Sequence, residues 1–98
     1  MSALFVYILE CSDGSYYVGS TDNLEIRLAK HNSGHYGGYT STRLPVKLVF
    51  SQQFEREFEA LTAERQIKGW RRAKKKALID GDFGLLVELS RTAKPKKS

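Results

Sequence analysis

The apolar run from Leu4 to Leu9 constrains the fold more than any other stretch of this 98-residue chain. The run is far too short to span a membrane, and its unbroken hydrophobicity predicts a central β-strand covered on both faces. Asp13-Gly14 follows, a dipeptide whose readiness for positive φ suits a two-residue hairpin turn. The sequence therefore predicts that the chain opens with a β-hairpin whose second strand ends at Gly19.

Two tyrosines lie within this predicted hairpin. Tyr7 is near the middle of the first strand and Tyr17 is on the returning strand, so strand pairing would bring the two phenols close together. Gly19 leaves space where a side chain would crowd an approaching group. Tyrosines in a hairpin are usually packing residues whose hydroxyls reach solvent at the edge of the sheet. Packing and chemistry therefore both remain open interpretations of the pair.

A helix and a long loop follow the hairpin. The cluster Thr21-Asp22-Asn23 predicts a helix start, with Glu25 three residues after Asp22 in capping-box spacing, and the apolar spacing continues to Asn32. Gly34 suits the left-handed residue that ends a helix. Residues 33–44 then form a loop that is long for so small a domain, which is typical of a binding or gating segment. A surface connector is the alternative interpretation.

The second half of the chain predicts one more strand and two helices. Residues 46–51 form the strand after Pro45, with Val46, Leu48 and Phe50 on one face. One long helix is expected over residues 56–78. Gly69 either bends this helix or lets Trp70 pack closely against a neighbour. A short helix over residues 83–89 completes the predicted elements.

This order of elements predicts the α/β (α+β) class, with a small three-stranded sheet packed against helices. We expect one domain over residues 1–90 and a basic, disordered tail over residues 91–98. Neither a membrane span nor a signal segment is apparent, so we expect a cytoplasmic protein. The order of the strands in the sheet does not follow from these patterns.

The cysteine and histidine content limits the chemistry available. Cys11 is the single cysteine, so an internal disulfide is impossible, and its strand context favours a buried thiol over a nucleophile. The histidines are His31 and His35, too few with one cysteine for a zinc site. Any metal is therefore expected to be a hard ion held by carboxylate and water.

Positive charge is concentrated in the second half of the chain. Residues 1–40 carry two basic and four acidic residues, whereas residues 41–98 carry fourteen basic and seven acidic ones. The stretch from Arg65 to Lys76 holds seven of the basic residues and no acidic one. Such one-sided charge favours a polyanionic partner, most often nucleic acid. A solvated helix face that keeps the protein soluble is the alternative.

Five polar residues near the ends of predicted elements suit phosphodiester cleavage: Tyr7, Tyr17, Arg27, His31 and Glu64. One carboxylate can hold a Mg²⁺ ion that keeps most of its waters. An arginine can clamp phosphate oxygens in a forked geometry, and a phenol or imidazole can take the proton from water. A free phenol has a pKa of about 10, so a tyrosine base requires a nearby cation.

The same residues carry a resemblance. Val6-Tyr7-Ile8 and Tyr17-Val18-Gly19 resemble the paired motif that names the GIY-YIG nuclease superfamily. The match continues with Arg27 and His31-Asn32 on the next helix, and with Glu64 on the long helix after the third strand. The resemblance covers roughly residues 3–80 in the expected order and spacing.

Two further stretches, residues 39–49 and 70–79, are similar to the small, single-domain, YhbQ-like bacterial branch of that superfamily. This branch is related to the nuclease domain of structure-specific endonucleases of the Slx1 type. The resemblance implies a three-stranded antiparallel sheet and a site that cleaves DNA with Mg²⁺ or Mn²⁺. It also implies a role in DNA repair, while an RNA substrate and a targeting protein partner both stay open.

The resemblance also implies a role for each site residue. Tyr17 would be the general base for the attacking water, and Tyr7 would orient the water or the scissile phosphate. Arg27 would stabilise the phosphate, and Glu64 would be the single protein ligand of the metal. His31 would be a base or a leaving-group partner. The predicted nucleic-acid-binding residues are Arg27, Lys68, Arg71, Arg72, Lys74 and Lys75.

Alternatives remain for several of these residues. Glu64 and Lys68 are four apart in the orientation of a favourable surface ion pair. Arg27 could be a solvated helix residue, and His31 could complement the dipole at the end of its helix. Two positions depart from the family pattern, because Val6 replaces a glycine and Ser20 stands where several members carry lysine. A non-catalytic or partner-dependent nucleic-acid-binding module is the second functional hypothesis.

Overall fold

The fold is built around a three-stranded antiparallel sheet, which confirms the predicted α+β class. The computed structural model describes residues 4–34 and 38–93. Its strands are β1 (Leu4–Glu10), β2 (Tyr16–Thr21) and β3 (Lys47–Phe54), in the order β2-β1-β3. The apolar strand β1 is central, as expected, and its four middle residues are at most 1% exposed. The edge strand β2 is therefore open to solvent along one side.

The connection between β1 and β2 is longer than predicted. The backbone N–H of Cys11 donates to the carbonyl of Ser15 at 2.8 Å, which leaves a three-residue turn instead of two residues. In this turn Gly14 has φ of 86°, and Asp13 accepts hydrogen bonds from the backbone and hydroxyl of Ser15. A single left-handed glycine after the bend is typical of three-residue hairpins.

The two faces of the sheet carry different helices. Helix α1 (Leu24–Asn32) packs over the face that carries Tyr7 and Leu9, while α2 (Glu57–Lys68) contacts β1 and β2 on the other face. The cluster on the first face includes Cys11, which is buried as predicted, and burial raises the pKa of its thiol. The sheet thus separates two surfaces, and both border β2.

Local hydrogen bonds move two predicted boundaries. The cap of α1 is Asn23, whose side chain accepts from the backbone N–H of Ile26 at 3.1 Å, so the capping box predicted from Asp22 is absent. Strand β3 begins after Val46 and runs three residues further than predicted. A register shift places Leu48 opposite Leu9 and Phe50 opposite Ile8. Because Ile8 and Leu9 face opposite sides, Leu48 and Phe50 do not share a face, contrary to prediction.

The prediction of a single long helix over residues 56–78 is wrong. The chain forms α2 and then α3 (Arg72–Asp80), and the backbone of Arg71 is extended, with ψ of 168°. Gly69 lies in the break, where its low helix propensity favours interruption. The chain divides after Lys68 into two compact units, residues 1–68 and 69–98.

The second unit contains α3 and α4 (Phe83–Ala93), joined at Gly81, which has φ of 72°. Helix α4 is longer than the predicted helix over residues 83–89, so the first three residues assigned to the tail are helical. The rest of that predicted tail and residues 35–37 of the predicted loop lie outside the described residues. Within residues 4–34 and 38–93, no helix has the length and apolarity needed to cross a membrane.

Candidate active site

The first hairpin tyrosine occupies a space that depends on Gly19. Tyr7 is paired across the strands with Gly19 and is 1% exposed. A Cβ atom added to Gly19 would lie 2.6 Å from the Tyr7 hydroxyl and 2.8 Å from its ring carbon Cζ. The glycine therefore leaves the space that the phenol fills, which confirms the crowding expected from the sequence.

We predict that Gly19→Ala destabilises the protein by about 1–3 kcal/mol, because the phenol must leave a filled site. Urea unfolding measures this loss. Gly84→Ala in α4 is the matched control, since the nearest atom to its added Cβ is 3.9 Å away. That helical change is expected to be neutral or stabilising by up to about 1 kcal/mol. Equal stability of Gly19→Ala and wild type would show that Tyr7 can be displaced freely.

His31 links the hairpin to the helix that follows it. Its ring is 2% exposed, and its Nε2 atom lies 3.2 Å from the Tyr7 hydroxyl. Its Nδ1 atom lies 3.0 Å from Oγ1 of Thr40, which is itself buried. Burial lowers the pKa of the imidazole, and the positive charge of Arg27 lowers it further. The burial of the ring and the lowered pKa both disfavour the imidazolium that would complement the helix dipole.

This lowered pKa predicts a loss of stability in mild acid. The unfolded chain binds the His31 proton near pH 6.5, at a higher pH than the native protein does. The His31 contribution to the free energy of unfolding is therefore fully present above about pH 6.5, and it is lost as the pH drops through that value. Urea unfolding between about pH 5 and 7.5 measures the slope, which we expect His31→Gln to flatten. The same slope in both proteins would refute a depressed His31 pKa.

The second hairpin tyrosine meets the same histidine from a less buried position. The Tyr17 ring is half-buried, and its centroid lies 6.5 Å from that of Tyr7 and 5.1 Å from that of His31. This proximity confirms that the hairpin brings the two phenols together. Among the described residues, no group forms a hydrogen bond with the Tyr17 hydroxyl. Tyr17 is thus the less buried of the two phenols.

An aromatic and a basic residue from the loop complete this cluster, and neither was among the predicted site residues. Tyr39 stacks on Tyr17 with centroids 6.2 Å apart. The guanidinium carbon of Arg43 lies 3.9 Å from the Tyr39 ring centroid, and its Nε atom is 2.9 Å from Asp13 Oδ2. The loop is thereby fixed to the hairpin turn. The sequence signals for a role of this loop in the site were its length and the resemblance of residues 39–49 to the YhbQ-like branch.

Arg27 borders this cluster on α1, four residues before His31. It lines an open depression of about 390 Å³. The other residues lining the depression are Thr21, Asp22, Asn23, Ile26 and Lys30. The exposed polar setting and the neighbouring Lys30 suit an anionic group such as a phosphate.

Glu64 lies on the opposite face of the sheet from the tyrosine–histidine cluster. Its carboxylate accepts a hydrogen bond from Ser20 Oγ at 2.8 Å and pairs with Lys68 Nζ at 3.1 Å. The predicted ion pair with Lys68 therefore forms, and Ser20 is an additional partner. Since Ser20 and Tyr17 both belong to the edge strand β2, the site residues border one strand from its two faces.

The basic residues after Lys68 belong to the second unit. Arg71 and Arg72 are exposed at the start of α3, whereas Lys74 and Lys75 are half-buried. The Lys74 ammonium lies 4.3 Å from the Trp70 ring centroid, and burial lowers the pKa of Lys75. Positive side chains at a helix N-terminus oppose the helix dipole, and an anionic partner would relieve this repulsion.

The α+β fold and the cluster of two tyrosines and a histidine, with an arginine on the same helix, agree with the family that the sequence resembles. The chain belongs to the GIY-YIG catalytic domain family, which matches residues 3–77. All five predicted catalytic residues lie within that match. The sequence resemblance is thereby confirmed at the level of the family.

Small bacterial proteins called UPF0213 are similar to this chain. One from Streptococcus pneumoniae serotype 4 is 47% identical over 75 residues, which is 76% of each chain. One from Staphylococcus aureus strain Mu3 is 46% identical over 79 residues, 81% of this chain and 96% of the relative.

Two solved structures resemble the chain. The NMR structure of the UPF0213 protein BH0048 from Bacillus halodurans has a TM-score of 0.54 and 41% identity. The match covers 80% of this chain and 83% of that one. The NMR structure of EF2693 from E. faecalis has a TM-score of 0.60 and 36% identity, covering 87% and 90% respectively.

Proposed function

We propose that the protein is a cytoplasmic, divalent-metal-dependent endonuclease that hydrolyses phosphodiester bonds of structured or damaged DNA in repair or recombination. The observation that carries this proposal is the contact of Tyr7 and Tyr17 with His31, one helical turn from Arg27. Such a cluster offers a proton acceptor beside a phosphate-binding cation. Residues 1–90 constitute the nuclease domain in this proposal.

Glu64 is the proposed ligand of Mg²⁺ or Mn²⁺. Among residues 4–34 and 38–93, no group of three acidic, histidine or cysteine side chains could hold a metal. A single carboxylate nevertheless suits Mg²⁺, which keeps several waters and takes further oxygen ligands from a substrate phosphate. The bound ion would stabilise negative charge on the scissile phosphate and its leaving oxygen.

The other proposed site residues bind the phosphate and transfer protons. Tyr17, acting as the phenolate, takes the proton from the attacking water and becomes a neutral phenol; it is assigned this role because its ring is the less buried of the two. Arg27 binds the non-bridging phosphate oxygens and stabilises their developing charge. The His31 ring connects the Tyr7 hydroxyl at Nε2 with the Thr40 hydroxyl at Nδ1, and in a neutral imidazole one of these nitrogens donates while the other accepts. Tyr7 and His31 thus form a buried pair that positions Tyr17 and can receive a proton.

DNA binding is assigned to Arg27 and Lys68 in the first unit and to four residues of the second. Arg71 and Arg72 present charge at the start of α3, and Lys74 and Lys75 follow on its first turn. A helix N-terminus that carries basic side chains is a site for backbone phosphates. The same basic segment would serve a non-catalytic or partner-dependent binding module, which is the second candidate function.

Cleavage of labelled DNA tests the proposal. End-labelled duplex, flap, fork and single-stranded DNA are incubated with the wild-type protein and Mg²⁺ or Mn²⁺, with and without EDTA. We expect cleavage that EDTA abolishes and that is fastest on a branched substrate. Binding of every substrate without cleavage would reject the endonuclease and support the binding module. Cleavage that persists in EDTA would show that the reaction does not require a divalent metal.

A further inference from the structure

The Glu64 carboxylate is held at both of its oxygens. Ser20 Oγ donates to Oε1 at 2.8 Å, and the Lys68 ammonium lies 3.1 Å from Oε2. The Glu64 side chain is 18% exposed, whereas that of Lys68 is 58% exposed. The serine comes from the strand and is fixed by the sheet, while the lysine reaches the carboxylate through a flexible stem. One partner is thus fixed and the other can leave.

We propose that Lys68 is a resident counter-cation that keeps Glu64 in place and gives up Oε2 when a divalent ion enters. This inference rests on the proposed function, which makes Glu64 the metal ligand. A cation bound at Oε2 would lie close to the ammonium, and the two positive charges would repel each other. An ion pair with an exposed lysine contributes little to stability, so Lys68 can leave at little cost.

Ser20 has the complementary role of a positioning residue. Its hydroxyl can stay on Oε1 throughout the exchange, because hydrogen bonding at one carboxylate oxygen leaves the other free for a metal. Partners of this kind orient metal ligands, and losing one usually costs metal affinity. A lysine in place of Ser20 would bring a second positive charge to the carboxylate. Serine at this position instead leaves Lys68 as the cation paired with Glu64.

The released ammonium has a place to act. Glu64 lines a shallow depression of about 200 Å³ together with Leu61, Arg65 and Lys68. Two basic side chains therefore flank the proposed metal ligand on the same helix. Once Lys68 leaves Oε2, it can bind a phosphate of the DNA backbone beside the metal. Metal binding and phosphate binding would then favour each other, since linkage between sites is reciprocal.

Binding of Mn²⁺ alone tests the exchange without relying on cleavage. Paramagnetic Mn²⁺ broadens the amide NMR signals nearest to it, so broadening at Ser20 and Glu64 reports occupancy of this site. Lys68→Met keeps the length of the side chain and removes its charge. We expect half-maximal broadening at about three- to tenfold lower Mn²⁺ concentration, as expected for loss of one nearby, partly screened charge.

Lys76→Met is the matched control. Lys76 forms a similar pair four residues along its helix, with Nζ 3.0 Å from Asp80 and a side chain that is 59% exposed. The substitution removes the same charge from the second unit, so broadening at Ser20 and Glu64 should match wild type. Ser20→Ala should require a higher Mn²⁺ concentration than wild type.

Three outcomes would count against these assignments, and they differ in what they reject. If Glu64→Gln broadens like wild type, the metal does not bind Glu64, and both the proposed metal site and the exchange fail. If Glu64→Gln abolishes the broadening but Lys68→Met binds no more tightly than wild type, only the exchange fails. Equal tightening by Lys76→Met would reduce the effect to net charge and reject a specific role for Lys68.

Discussion

Glu64→Gln is expected to slow DNA cleavage by at least about 10²–10³-fold, because it removes the negative charge proposed to hold the metal. DNA affinity without metal should stay within about threefold of wild type, since the substitution weakens only the ion pair with the exposed Lys68. Glutamine can still accept the hydrogen bond from Ser20, so the fold is retained. Single-turnover cleavage of a flap substrate measures the rate, and fluorescence anisotropy measures binding.

Glu59→Gln provides the matched control for this prediction. Glu59 lies on the same helix in its first turn, is exposed, and loses the same charge. We expect its cleavage rate to lie within about threefold of wild type, as for surface changes away from a site. A Glu64→Gln protein that cleaves at the wild-type rate would exclude Glu64 as the metal ligand. A shared loss in both variants would point to a general effect of helix charge.

Much of the first unit was predictable because its determinants are local. The apolar run of β1 needs no partner to identify it as a central strand, and the cap at Gly34 follows from one residue type. The proximity of Tyr7 to Tyr17 follows from strand pairing, since the side-chain period of two places both on one face. The space beneath Tyr7 was visible as the glycine at position 19.

Features that depend on tertiary contacts were not predictable. Nothing in the alternation of β3 reveals the register shift that separates Leu48 from Phe50, because it is set against Ile8 and Leu9. The helix interruption was visible only as Gly69, and a single glycine is also compatible with a bend. The extended backbone at Arg71 shows that the helix is interrupted there. No local sequence pattern predicts that backbone conformation.

The candidate site also combines features that local sequence predicts with features that depend on tertiary contacts. Helical spacing placed Arg27 and His31 on one face, but the burial of His31 and its bond to Thr40 require the loop to fold back over α1. Ser20 carried no sign of its contact with Glu64, 44 positions away. Likewise, Asp13 and Arg43 gave no indication of the ion pair that places Tyr39 against Tyr17. Sequence order identified the family, while only the structure distinguishes the half-buried phenol of Tyr17 from the fully buried phenol of Tyr7.

That separation predicts different consequences for the loss of each phenolic hydroxyl. Tyr17→Phe is expected to lower the cleavage rate by about 10²–10⁴-fold, the usual contribution of a general base. Its stability should change by less than about 1 kcal/mol, since no described residue bonds the hydroxyl. Tyr7→Phe should instead destabilise the protein by about 1–3 kcal/mol, because it removes a buried hydroxyl that lies 3.2 Å from His31 Nε2.

Single-turnover rates from about pH 5.5 to 9, with urea unfolding of each variant, measure both effects. Tyr16→Phe is the matched control, since Tyr16 is also half-buried in β2 but points to the other face. We expect Tyr7→Phe to retain measurable cleavage with an altered pH profile, because its hydroxyl contacts the titrating imidazole. If Tyr7→Phe were stable and inactive while Tyr17→Phe cleaved normally, the general base would be Tyr7. Proton transfer would then run through the buried Tyr7–His31 pair instead of the phenol at the edge strand.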